Sequence, residues 1–167
     1  MAVTVDLLRL KEWSERLCRL AATGSLDVVA ALRVGTAPAA HIRGVGRIDP
    51  PPGGTSRCEL ALADGRFRSL SLTFARPTIR RATLEDAMGP GLPLRRLGFG
   101  RPHRVAYRVV VAGAPFSCDV VASFAEPPRD DSLVTAVTLR RHRGVGAPPE
   151  QPDLRRAPRA VTRPRRP

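Results

Sequence analysis

Six residues carry side chains suited to nucleophilic or metal chemistry: Cys18, Cys58 and Cys118, and His41, His103 and His142. A structural zinc site needs such residues in closely spaced pairs. No two of these six are so spaced, and no histidine has an acidic or cysteine partner at ligand spacing, so no metal site is expected. The histidines read as surface or loop residues. Ser117-Cys118-Asp119 offers one nucleophile, with His103 as its base across a pair of strands. Cys118 also alternates with Val120 and Phe124, which would turn its thiol inward as a small core hydrophobe, and packing is the preferred reading. Glu85 and Asp86 belong to a helix start, and Asp130 and Asp131 to a turn. The glycine-rich stretches 91–100 and 144–148 lack the strand–loop–helix context and the lysine of a phosphate loop, so no cofactor is implied. The chain carries no catalytic constellation and reads as a non-enzyme.

The bulk numbers fit one domain. The 167 residues are 43% hydrophobic and only 4% aromatic, so Leu, Val and Ala must fill the core. Apolar runs such as 109–116 fall well short of the roughly 20 residues of a membrane span. Asp6, Arg9 and Lys11 interrupt the N-terminal apolar stretch, so it reads as a helix start with no export signal. An odd number of cysteines without a Cys-x-x-Cys motif suits reduced thiols in a cytoplasmic protein. Net charge is +13, and Lys11 is the single lysine among 28 basic residues. Six arginines against two carboxylates put +4 of that charge in residues 144–167.

Residues 3–22 have apolar side chains at three- and four-residue intervals (Val3, Leu7, Leu10, Trp13, Leu17, Leu20), the mark of an amphipathic helix, with Gly24 as its left-handed cap. Ser25 would cap a second helix over 26–33, stopped by Gly35. A strand over 41–48, a Pro/Gly loop over 49–55, a strand over 57–63, the Asp64-Gly65 hairpin turn and a strand over 66–75 follow. Thr83 to Asp86 has the capping-box pattern and opens a third helix that Gly89 ends. Residues 90–102 read as an irregular loop. Three strands then alternate: Val105, Tyr107, Val109 and Val111; Cys118, Val120, Ala122 and Phe124; Leu133, Thr135, Val137 and Leu139. The expected fold is α+β, one antiparallel sheet of five or six strands with helices on one face, over residues 1–143. Residues 144–167, rich in Pro and Arg and poor in large apolar side chains, are expected to be disordered.

The two halves share an order of signals. Ser25-Leu26-Asp27 matches Thr83-Leu84-Glu85, Cys58-Glu59-Leu60 matches Cys118-Asp119-Val120, and residues 72–76 match 137–141. This suggests two helix-plus-three-strand repeats, 25–76 and 83–141, with chance similarity as the alternative. Thr83, Leu84 and Gly89, Tyr107, and the Asp64-Gly65-Arg66-Phe67 hairpin leading into Ser69-Leu70-Ser71-Leu72 give the chain a resemblance to the β-lactamase-inhibitory-protein-like and small outer-membrane-assembly-lipoprotein domains. That resemblance implies tandem helix-plus-sheet units that bind proteins and catalyse nothing. The chain departs from such secreted proteins in lacking an export signal and paired cysteines.

Two functions are therefore expected. The first is a non-catalytic cytoplasmic protein-binding module of the adaptor, immunity or chaperone kind, using the polar face that carries Arg108, Asp119, Ser123 and Arg140. The alternative is accessory, non-specific nucleic-acid binding through Arg155, Arg156, Arg159, Arg163, Arg165 and Arg166, which would be strongly salt-dependent. No aromatic residue is interleaved with these arginines for base stacking.

Overall fold

A computed structural model describes residues 5–21, 24–36, 44–96 and 98–143. The arginines of 155–166, His41 and the expected strand start at 41–43 lie outside the described residues. The elements run α1 (Leu7–Arg19), α2 (Ser25–Leu32), β1 (Gly44–Arg47), β2 (Thr55–Ala63), β3 (Arg66–Phe74), α3 (Arg81–Met88), β4 (Leu92–Leu94), β5 (His103–Val109), β6 (Phe116–Phe124) and β7 (Ala136–Arg143). The fold is α+β with one antiparallel sheet in the order β1-β2-β3-β7-β6-β5-β4. Two meanders thus join through β3 and β7, with Leu72 opposite Val137.

Alternation places one side chain of each strand pair inward. Cys58, Leu60, Leu70, Leu72, Val105, Tyr107, Cys118, Val120, Ala122, Val137 and Leu139 form a single core with Leu10, Trp13 and Leu17 of α1, Val28 and Leu32 of α2, and Leu84 of α3. All three helices therefore cover the same face of the sheet. The helix α1 rests chiefly on β6, with α2 packed against α1 and β3, and α3 against α1 and β5. Arg141, on the core side of β7, donates to the carbonyls of Leu17 (3.4 Å) and Leu20 (2.6 Å) and lies 4.0 Å from the centroid of the Phe116 ring. It satisfies carbonyls that the end of α1 would otherwise leave without partners. Among the described residues no helix is long and apolar enough to cross a membrane.

Several local expectations are corrected. Gly24 is not a left-handed cap of α1, which ends at Leu20; it is the N-cap of α2, with its N–H donating to Asp27 at 3.0 Å. The left-handed residue closing α2 is Arg33 (φ 54°, ψ 44°), not Gly35. Gly35 is needed for close approach instead, because a Cβ there would lie 2.6 Å from Ile48 Cγ2 and 2.7 Å from the Pro50 carbonyl. Thr83 does not cap α3: the helix begins two residues earlier, behind Arg80, and Thr83 is exposed within it. Arg81 explains the earlier start, since it reaches the Pro128 carbonyl and pairs with Glu85 at 2.8 Å. Leu133 and Thr135 do not extend β7; Leu133 is 44% exposed and β7 begins at Ala136.

The sheet has seven strands because the supposed loop 90–102 contains β4, which pairs Leu92 with Ala106 and Leu94 with Arg104. Gly91 lets this edge strand pack. A Cβ at Gly91 would sit 2.3 Å from Val105 Cγ1 and 2.7 Å from the Tyr107 ring. Gly91→Val is expected to cost about 1–3 kcal/mol by overpacking, read as a lower urea midpoint with an unchanged slope. A midpoint equal to that of the parent would show that β4 shifts freely.

Candidate functional site

Among the described residues no helix or strand covers the sheet face opposite the helices, and its side chains follow from the register. Arg108, Asp119, Arg140 and Ser69 form one lateral row across β5, β6, β7 and β3. The next row toward the Phe124 end of β6 runs Leu92, Ala106, Val121, Thr138 and Ser71. Val121 is buried, yet it lies outside the main core cluster, as expected for a residue on this second face. The Ser71 and Thr138 hydroxyls are 3.1 Å apart, tying β3 to β7 from the same side.

Asp119 is the centre of the open face. It is only 8% exposed, and a buried carboxylate needs charge partners. One oxygen accepts from Arg108 Nε and the other lies 2.8 Å from His142 Nε2. Arg140 stands directly opposite on β7. Its Nε is buried and has no hydrogen-bond partner among the described residues, and the same holds for the hydroxyl of Ser117, across from His142. Two polar atoms without a partner among the described residues thus flank one carboxylate, an arrangement that costs stability unless a further group completes it. Beside them lies a cavity of about 270 Å³ lined by Arg108, Val110, Phe116 and Ser117, among others.

Of the four residues expected on this face, the structure brings Arg108, Asp119 and Arg140 together. Ser123 shares the face but sits four residues along β6, about 13 Å from Asp119, between Arg104 and Ala136. His142 and Ser117 were not legible as members. His142 is a strand residue bonded to Asp119, not a loop histidine, and His103 likewise lies in β5. Residue spacing alone cannot reveal a histidine and a carboxylate that meet across two strands 23 positions apart.

The presence of Ser117, His142 and Asp119 on one face invites comparison with a hydrolase triad. The geometry does not form one. The Ser117 hydroxyl is unbonded and nearly inaccessible at 4%, whereas a nucleophile must reach both its base and a substrate. The pairing of Cys118 with His103 also fails. His103 lies opposite Phe124 and Cys118 opposite Val109, at opposite ends of the β5–β6 ladder and about 20 Å apart. Cys118 and Cys58 are fully buried in the core and do not hold matching register positions, since Cys58 faces Leu72 while Cys118 faces Arg141.

Thiol chemistry follows from these positions. The Cys18 thiol donates to the Val109 carbonyl at 3.6 Å and interacts with the Cys118 thiol. That interaction, reinforced by burial, pushes Cys118 well above an ordinary thiol, and burial pushes Cys58 up to about 12. Both stay protonated at neutral pH and are poor nucleophiles. Iodoacetamide at pH 8 is expected to leave Cys58 and Cys118 unmodified in the native protein and to label both after unfolding, as read by peptide mass. Native labelling of Cys118 would restore the nucleophile reading.

No group of three or more potential metal ligands occurs among the described residues. Comparison with protein-family models, with curated proteins and with solved structures finds no match for this chain.

Proposed function

We propose that this chain is a non-catalytic binding module that holds an acidic protein partner against its open sheet face, in the cytoplasm, as an adaptor, immunity protein or chaperone would. The observation that carries this reading is the partly satisfied cluster at Asp119. The Arg140 Nε donor and the Ser117 hydroxyl are buried without partners on a face that no element of the described chain covers. A partner carboxylate that draws the half-buried Arg140 side chain outward would satisfy its Nε and extend the alternation of charge begun by Arg108 and Asp119. Three free, buried cysteines support a reducing compartment. The order of a helix followed by a meander in each half, α2 before β1–β3 and α3 before β4–β7, supports a tandem layout like that of inhibitor-protein domains, while the fourth strand of the second half and the different register of Cys58 and Cys118 count against an exact repeat.

The test compares quantitative affinity purification from source cells using three proteins. These are the parent, Arg140→Glu, and Leu8→Arg, the last a control on the outward side of α1 where Leu8 is 75% exposed. A partner retained by the parent and by Leu8→Arg, and reduced at least tenfold with Arg140→Glu, is the expected result. Equal recovery with all three proteins, or turnover in an activity screen that Arg140→Glu abolishes, would overturn it.

A further inference from the structure

The stretch from Ala87 to Cys118 contains five arginines and not one carboxylate, whereas Asp64, Asp49 and Glu59 temper the arginines at the β1–β2 end. Four of those five, Arg95, Arg96, Arg101 and Arg104, lie on or beside the connection between β4 and β5. Between them is Phe99, which is fully exposed at 105%. A phenylalanine with neither ring face covered is costly in water, and its setting holds it outward. It is flanked by Gly98 (φ 139°) and Gly100 (φ 71°), backbone conformations that glycine adopts without strain. The loop is braced below the tip, where Arg96 donates through Nε and Nη2 to the Arg101 carbonyl at 3.2 and 3.0 Å. The aromatic side chain is thus presented on a braced hairpin, with cations on either side.

We infer that the β4–β5 hairpin is a binding site for single-stranded nucleic acid, with Phe99 stacking on a base and Arg95, Arg101 and Arg104 contacting the backbone phosphates. Charge complementarity selects a polyanion, and the single bare ring selects one that carries flat aromatic groups. An anionic bilayer would use only the apolar area of the tip, whereas a nucleobase uses the ring face, and the leucine and vesicle comparisons below distinguish the two. An acidic protein would pair with the arginines but offer no flat group to the bare Phe99 ring, whereas a nucleobase stacks on it. This site uses none of the arginines of 155–166 and does not depend on the protein-binding reading of the open face.

The experiment titrates a fluorescein-labelled oligothymidylate with the full chain and with Phe99 variants, following fluorescence anisotropy at low salt. Phe99→Ala is expected to weaken binding about 5- to 100-fold, and Phe99→Trp to preserve it, since a stacked base contributes about 1–3 kcal/mol. Phe99→Leu, which keeps apolar area and loses the π-face, should behave as Phe99→Ala. Inorganic polyphosphate, a polyanion without bases, should bind the parent and Phe99→Ala equally. Arg101→Ala should lower the magnitude of the salt slope by about 0.7, one phosphate contact to a single strand. Unchanged oligothymidylate binding by Phe99→Ala would overturn the inference. So would full rescue by leucine, or a Phe99→Ala defect confined to phosphatidylserine vesicles, which would assign the tip to an apolar pocket or a lipid surface.

Discussion

Trp13→Ala is expected to lower the unfolding free energy by about 3–5 kcal/mol, the largest stability loss from any single truncation in this chain. Trp13 is the sole tryptophan, fully buried among Leu10, Leu17 and the sheet core, and α1 is the helix that spans the middle of the sheet. With only 4% aromatic residues, little else can fill the volume its indole leaves. For a chain of this length the loss corresponds to a melting point about 6–20 °C lower. The measurement must use circular dichroism, because the substitution removes the fluorophore. Trp13→Phe separates volume from hydrogen bonding. The indole Nε1 is buried without a partner, so phenylalanine removes a costly donor as well as some volume. It should cost less than half as much as alanine. An equal loss for both variants would mean that Nε1 finds a partner in solution and that the site is not merely packed.

The elements most legible in the sequence were those decided by local periodicity and turn chemistry. Trp13 at the apolar stripe of α1, the alternation of Leu70, Leu72 and Phe74, and the Asp64-Gly65 turn all appear as expected, because side chains three, four or two apart must share a face. Boundaries decided by distant contacts were not legible. Thr83 has the right pattern for a cap, but Arg81 gains a carbonyl from the 126–131 turn and draws the helix start backward. The short strand β4 was hidden because proline and glycine dominate its surroundings, and only Gly91 packing against Tyr107 accounts for its place at the edge. The candidate site divides in the same way. Arg108, Asp119 and Arg140 followed from alternation, whereas His142 depended on the register of β6 against β7, which no local pattern encodes. Phe99 had a visible signal, since an aromatic residue between arginines stands plainly in the sequence. The arginine-rich end of the chain carries more charge but has no aromatic residue.

Asp119→Ala is expected to destabilise the fold by about 2–3 kcal/mol, an unusually large loss for a residue outside the main core. The carboxylate is the only negative group among Arg108, Arg140 and His142 in these paired strands, and its side chain is 11% exposed. Its removal abolishes two hydrogen bonds and leaves two guanidinium groups as near neighbours around a neutral centre. The effect stays below the full value for a buried ion pair because Arg108 is 56% exposed and water screens it. Two comparisons identify the cause. Added salt should shrink the difference between Asp119→Ala and the parent, since screening relieves repulsion between the arginines but not a lost packing contact. Arg108→Ala made in the Asp119→Ala background should cost less than Arg108→Ala in the parent, giving a coupling energy of about 1 kcal/mol in a double-mutant cycle. A salt-independent loss with additive single mutants would make Asp119 a packing residue. The alternation of charge across β5, β6 and β7 would then have no energetic meaning, and the open face would lose the feature that recommends it for an acidic partner.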